Sequence, residues 1–530
     1  MFKKNTKHTQ SNIFGYTNII SEKMAKELQE SEEQQFYKLI FCNIKEEDFA
    51  CLYSEIDSRP NVPVNCMVSA ILLQHRGKLT YEKLFDSIKF NLLTKTALGL
   101  QTLDEVPFSE ASLFNFQNKL NSYFIETGIN LLERVFDNLT EKQLKDLKIK
   151  TDIQRTDSFQ AASNIRRYSR LQLLVEMLIR IYRVINEEDK KQYDELFIPY
   201  VKKTSGQFIY RLDTDDLSSE LEKVGKVYRE INDTLKPKYK DVDIFKTFER
   251  VYLEHFTVIE EEIIIRTPEE LTSSCLQSPD DIDATYRKKN NKQFYGQTAN
   301  IVETCNPVNP INLVTDISVH ANNIDDSKEL NERIDIVKEK TPDINELHFD
   351  GAYGSKDNDK KFDKHSVTPI QTAIRGRENS GVEITINQIN EGYYLASCPN
   401  QNIKSELVTK RFKAEFDLNI CSSCVFASVC NLIKKKSVRV YYFTEEEYLK
   451  KQRLASIQMI PKERRSLRTN VEATVSEFTR KMNNRKLKVR GTFKAEIFAF
   501  AVGIGVNFGR IYRYLCSQIS EGALIRQCIT

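Results

Sequence analysis

Apolar side chains recur every three to four residues through the first 145 positions of this 530-residue chain, a spacing that predicts helices. Pro63 suits the first turn of a helix, and the run VNCMVSAILLQ leads to Gly77, a predicted stop. A second helix is predicted from Thr80 through Ile88, which gives helix–turn–helix spacing. Ser109 reads as an N-cap, after which Leu113, Phe116, Leu120, Phe124, Leu131 and Val135 fall on one face and predict core. The period changes at 146–163, where KIKTDIQRTDSFQAAS predicts a short extended segment with Asp157 near its end. Charged amphipathic helices return from about 165 to 285, as in RLQLLVEMLIRIYRVI and IFKTFERVYLEHFTVIEEEIIIR. Strand signals dominate from about 290 to 375: INLVTDISVH, ELHFDGAYGS and SVTPIQTAI. A turn-rich, cysteine-bearing stretch covers about 376 to 440, and the last ninety residues read as helical.

This order predicts one α/β core interrupted twice. Its parts are a helical N-terminal domain at 1–145, a first core strand at 146–164, a helical insertion at 165–285, core strands at 286–375, a cysteine-rich insertion at 376–440, and core helices at 441–530. Such interruptions let site residues lie far apart in sequence and still meet in space.

Composition narrows the picture. Hydrophobic residues make up 40% and aromatics 10%, enough for a sizeable core. Charged residues reach 29% but the formal net charge is only +3, so any basic surface must be local. No apolar stretch follows the basic start MFKKNTKHTQSNIFGY, so no signal peptide is predicted. The longest apolar run, Ile497 to Val506, is about half of what a bilayer crossing needs, and a soluble, intracellular chain is expected. Eleven cysteines do not make a disulfide scaffold at this length. Seven are scattered and read as buried reduced thiols; Cys398, Cys421, Cys424 and Cys430 cluster. A CxxC pair with two flanking cysteines suits a four-thiolate zinc site, although the spacing is irregular and the segment has no histidine. Structural zinc and reduced surface cysteines both remain open.

Candidate chemistry lies in three carboxylates. Asp157 follows IQRT and precedes the small residues AAS; Asp350 ends ELHFD, before a Gly-Ala-Tyr-Gly turn that leaves its carboxylate projecting from a strand end. Glu472 lies on a predicted helix whose Val471, Val475, Phe478 and Met482 form an apolar stripe, with Arg468, Glu472 and Ser476 on the adjacent face. Phosphodiester chemistry uses a few carboxylates on rigid elements to hold hard divalent ions. Among 75 acidic residues most are solvated, and Asp152 and Glu477 compete with two of the three, so context must decide.

That context is a resemblance. VPVNCMVSAILLQHRGKLTYEKLFDSIKFNLLTKTALGL with PFSEASLFNFQNKL, TDSFQAASNI, LVTDISVHANNIDDS with LHFDGAYGS, and RTNVEATVSEFTRKMNNRKLKVRG resemble, in order, segments of bacterial insertion-sequence DDE transposases with an InsH-like N-terminal domain. The likeness spans most of the chain outside 165–285. It implies a ribonuclease H-like core, a mixed sheet with flanking helices, in which Asp157, Asp350 and Glu472 hold two Mg²⁺ or Mn²⁺ ions. It implies cleavage at insertion-sequence ends and strand transfer into target DNA. The implied partners are double-stranded DNA, as terminal inverted repeats and target, and a second copy in a homodimeric synaptic complex. The implied location is the bacterial cytoplasm and nucleoid, with no membrane.

Related families carry a Tyr-Arg-Glu-Lys pattern around the glutamate. Here Arg468 takes the arginine place, Arg465 the tyrosine place and Thr479 the lysine place, so the tyrosine and lysine roles are not carried over. Arg468 is expected either to contact a phosphate or to pair with Glu472. Arg480, Lys481, Arg485, Lys486, Lys488 and Arg490 crowd into eleven residues after the glutamate and are candidate DNA contacts. His320 reads as structural and His348 as a neighbour of Asp350. The N-terminal domain is the candidate for end recognition. Two alternatives remain: a ribonuclease H-like nuclease without strand transfer, and a domesticated DNA-binding protein.

Overall fold

The computed structural model describes residues 1–530 except 11, 57–59, 202–203, 211, 261, 290, 373–381, 391 and 530; for 214, 454 and 519–529 it describes the backbone alone. The central sheet is built from β1 (Ile153–Ala162), β2 (Thr285–Lys289), β3 (Lys292–Thr304), β4 (Val314–Ala321), β5 (Glu346–Phe349) and β6 (Thr368–Gln371). β3 pairs antiparallel with β1, β2 and β4, whereas β5 runs parallel to β1 and β6 parallel to β5. The strands therefore lie in the order β4-β3-β1-β5-β6, with β2 paired to the start of β3. The fold is a mixed α/β one. Residues 296–304 of β3 are all buried, as expected of a strand covered on both faces. Gly296, at φ +141, is needed there because a Cβ would meet Ala161 O and Ser163 N at 2.5 Å.

β1 runs ten residues and continues well past Asp157, which pairs with Ile301 in mid-strand. The sequence predicted a short segment with Asp157 near its end, and the strand instead runs on through Ser158 and Gln160. The strand absorbs them through neighbours: Gln160 Nε2 donates to Thr298 Oγ1 at 2.8 Å, and Ser158 Oγ to Asp326 Oδ1 at 3.2 Å.

The helices that matter here are α1 (Val64–Gly77), α2 (Tyr81–Phe90), α3 (Glu110–Thr127), α4 (Leu131–Asp146), α5 (Asp326–Lys340), α6 (Lys462–Thr469), α7 (Val471–Thr479) and α8 (Thr492–Ile529). Lys78 closes α1 in the left-handed conformation, and Thr80 caps α2 by accepting from Lys83 N. The stripe predicted from Leu113 to Val135 divides between α3 and α4, because Gly128 terminates the first and Asn130 caps the second.

The N-terminal helices, the sheet and α7–α8 share one hydrophobic core. Phe36 stacks edge-on against Phe508, Phe124 meets Phe493 and Phe136 meets Phe500. α8 is longer than its apolar run suggested. Thr492–Gln518 is long and apolar enough to cross a membrane, yet 72% of its most apolar window is buried inside the protein, as in a core helix.

The insertion has its own core around Tyr228 and Phe248. There the predicted helix IFKTFERVYLEHFTVIEEEIIIR stops at His255, and Phe256–Ile259 pairs with Glu262–Ile265 as a hairpin. The β-branched FTVI and EIII segments fit the pleat better than a helical turn. The cysteine-bearing stretch holds two small antiparallel sheets, one of three strands and one of four. In RFKAEFD the alternation is plain, with Phe412, Ala414 and Phe416 buried.

Candidate active site

Asp157, Asp350 and Glu472 arrive from three elements at one side of the sheet. Asp157 projects from the middle of β1, with 16% of its side chain exposed. Asp350 follows the last residue of the adjacent parallel strand β5, and its Oδ1 accepts from Ala352 N at 2.8 Å in the turn after the strand. Glu472 is the second residue of α7 and faces solvent. Val471 and Phe478 on the other face of α7 are buried, and Phe159 of β1 packs on Phe478 at 5.7 Å.

Arg468, at the end of α6, reaches both aspartates. Its Nη2 is 3.0 Å from Asp157 Oδ2 and 4.0 Å from Asp350 Oδ2. Its ion pairs are with these aspartates rather than with Glu472, since α6 ends at Thr469 and α7 restarts after Asn470. Burial raises the Asp157 carboxyl above the ordinary range; Arg468 and the Ser158 N–H act against it, while Asp350 and Glu472 raise it further. The three carboxylates are thus within electrostatic reach of one another, and their oxygens are the donors a hard divalent ion takes. Among the described residues, no three carboxylate, histidine or cysteine side chains are drawn up around a single point.

The competing acids are engaged elsewhere. Asp152 accepts from Asn306 Nδ2 at 2.8 Å at the start of β1. Glu477 accepts from Arg510 Nη2 at 2.6 Å, on the far side of α7.

A buried charge cluster beneath the site escaped the sequence reading. Glu303, fully buried on β3, accepts from Arg155 Nε at 2.7 Å, Arg510 Nη1 at 2.8 Å and Thr474 Oγ1 at 2.7 Å. It ties β1, α7 and α8 together. Arg155 Nη1 also donates to Leu467 O at 2.6 Å, next to Arg468. Arg464, one turn before Arg468, pairs with Glu346, which also accepts from the buried His348 Nε2 at 2.6 Å. His348 therefore supports α6 rather than touching Asp350. The signal for Glu303 was a lone charge in the buried run NIVETC, which requires a partner. His320 is also structural, with Nδ1 3.0 Å from Ala321 O.

The basic run behaves differently from a free patch. Lys481 Nζ donates to Arg76 O, Lys488 Nζ to Lys78 O, Lys486 Nζ to Ile165 O and Arg490 Nε to Asn164 O, at 2.7–3.2 Å. Ala162 N donates to Arg485 O and Leu487 N to Ala162 O, so the segment extends the end of β1. It straps the N-terminal helices to the core, while the side chains of Arg480, Arg485, Lys486, Lys488 and Arg490 stay exposed.

Two family models match the chain. One, "Transposase domain (DUF772)", covers residues 24–119, through α1, α2 and much of α3. The other, "Transposase DDE domain", covers residues 391–512, including α6, α7 with Glu472, and half of α8. No curated protein and no solved structure matches it. The two matched segments are thus similar to transposase domains. Together they support an insertion-sequence DDE transposase. Asp157 and Asp350 lie between the two matched segments.

Proposed function

We propose that the chain cleaves DNA at the ends of its insertion sequence and joins the resulting 3′-hydroxyls to target DNA, using Asp157, Asp350 and Glu472 as metal ligands. The observation that carries this reading is the convergence of Asp157 and Asp350, from adjacent parallel strands, on the guanidinium of Arg468, with Glu472 one residue into the next helix. The strand order β4-β3-β1-β5-β6, three antiparallel strands followed by two parallel ones, supports a ribonuclease H-like reading of the sheet.

Two Mg²⁺ or Mn²⁺ ions held by these carboxylates would supply Lewis-acid activation and charge neutralisation for in-line phosphoryl transfer. The residues themselves do the rest. The hydrogen bonds from Ser158 N and Ala352 N fix one oxygen of each aspartate and leave the other facing the site. The Glu303 cluster clamps α7 to the sheet and so sets the distance from Glu472 to Asp157. Arg468 has a buried Nε–H with no acceptor among the described residues, a donor suited to a phosphate oxygen. DNA follows the exposed basic strap. Beside it a cavity of about 490 Å³ opens towards α1 and α2, rimmed by Lys78, Lys481, Lys488, Arg490 and Lys494. The N-terminal helices contribute to end recognition, and two copies hold the two ends together.

The test is a Mg²⁺- or Mn²⁺-dependent assay on element-end DNA that scores cleavage and joining separately. Joined products support the transposase reading. Cleavage with hydrolysed ends alone would assign a nuclease, and DNA binding without either product would assign a binder.

A further inference from the structure

The four clustered cysteines take no part in the chemistry above, yet the fold gathers them. Cys398 ends the strand Tyr393–Cys398, Cys421 lies in the short helix Leu418–Ser422, Cys424 follows in the turn after it, and Cys430 precedes the strand Ile433–Lys434. All four line a single cavity of about 20 Å³ between the two small sheets, room for one water-sized occupant and for no organic ligand. We infer that this cavity is a structural zinc site with Cys398, Cys421, Cys424 and Cys430 as its ligands.

Three observations argue for it besides the shared cavity. Two side-chain amides are aimed at the sulfurs: Asn400 Nδ2 is 3.1 Å from Cys424 Sγ, and Gln401 Nε2 is 3.3 Å from Cys421 Sγ. Donors of this kind stabilise a thiolate and orient it, as outer partners of a metal ligand do. Gln401 is itself fixed, since its Oε1 accepts from Asp417 N at 2.9 Å and its Nε2 also reaches Asp417 O. Second, Arg439 lines the same cavity and donates to Ala427 O, so it holds the 424–430 loop against the site and lends positive charge to it. Third, the loop that carries Cys424 and Cys430 has few apolar anchors. The two buried clusters of the knob, around Phe416 and around Phe412, lie in its sheets, while Val425 and Val429 of the loop are exposed. Sheets this small need a staple.

The donor set selects the ion. Four soft sulfurs suit Zn²⁺, whereas the three carboxylates around Asp157 suit Mg²⁺ or Mn²⁺, so the two sites do not compete for one metal. As the chain stands, the sulfurs are not drawn to a common point, and loading contracts them around the cavity. Each thiol that binds releases its proton to solvent, which makes loading weaker at low pH. The site is independent of the transposition chemistry.

The test uses the full chain. We expect one zinc per chain by elemental analysis. We expect a cobalt-loaded chain to show thiolate-to-metal charge-transfer and tetrahedral d–d bands. Affinity should fall at least tenfold in the Cys421→Ser, Cys424→Ser double variant and stay unchanged in Asp157→Asn. A folded wild-type chain that retains no zinc, gives no cobalt–thiolate band, and whose four thiols react equally fast with and without zinc would overturn the site. If the double variant fails to fold, the cobalt spectrum of the wild type decides alone.

Discussion

At the residue scale, Arg468 stands where two negative carboxylates meet, with its guanidinium 3.0 Å from Asp157 and 4.0 Å from Asp350. Removing it leaves the mostly buried Asp157 without its nearest counter-charge. Arg468→Ala should therefore lower stability in metal-free buffer by about 2 kcal/mol, the scale of a lost charged hydrogen bond. Because the remaining charges are those a divalent ion neutralises, Mg²⁺ should raise the Tm of the variant more than that of the wild type. Thermal scans with and without Mg²⁺ check this, and equal metal responses would show that Arg468 does not guard these carboxylates. Much of this site could be read in the sequence. ELHFD before Gly-Ala-Tyr-Gly marks a carboxylate at a strand end, and the Val471, Val475, Phe478 stripe orients the Glu472 helix. The aspartate contacts of Arg468 could not be read, because they depend on the break at Asn470 and on two strands more than a hundred residues away.

At the element scale, α7 is held by charge buried below it. Glu303 has no exposed side-chain surface and balances Arg155 and Arg510 while accepting from Thr474. Glu303→Ala leaves two guanidinium groups without their shared partner and should cost about 3–5 kcal/mol. Glu477→Ala, at the rim of the same cluster, should cost about 1 kcal/mol or less. Urea denaturation compares the two, and similar costs would contradict the clamp. A second link joins α4 to α8, where Asn130 Nδ2 donates to Glu496 Oε2 at 2.7 Å. Burial pushes the Glu496 carboxyl up to about 7, against the hydrogen bond from Asn130. A raised folded-state value favours the fold while the group is protonated, below its ordinary value of 4.5, and that contribution is lost as pH rises towards 7. Glu496→Gln should thus stabilise the chain by about 3 kcal/mol at about pH 8 and much less at about pH 5. Thermal melts at the two pH values test it; a gain independent of pH would assign Glu496 an ordinary carboxyl. The sequence showed the apolar stripes of these helices but not these pairs, whose members are 366 residues apart in one case.

At the scale of the whole molecule, the N-terminal helices are part of the core rather than an appended module. Their aromatic side chains interleave with α8, and the basic strap donates to the carbonyls of Arg76 and Lys78 at the end of α1. The strap predicted as a DNA contact is thus also a structural tie. Lysine counts reveal charge but not which carbonyl oxygens will meet it. The alternation of helical and extended periods did reveal a mixed α/β fold, because each period reflects a local face. The hairpin at 256–265 and the two small sheets around the cysteines were not read, because their strands are short and pair only in tertiary context.

The proposed function requires Asp157, Asp350 and Glu472 to act together in cutting and joining DNA. The most direct measurement is metal-dependent cleavage and joining of element-end DNA by the wild type and by Asp157→Asn, Asp350→Asn, Glu472→Gln, Asp152→Asn and Glu477→Gln. The first three variants should lose both reactions while still binding DNA, and the last two should keep them. Activity surviving in any of the first three, or lost in Asp152→Asn while the fold persists, would contradict it.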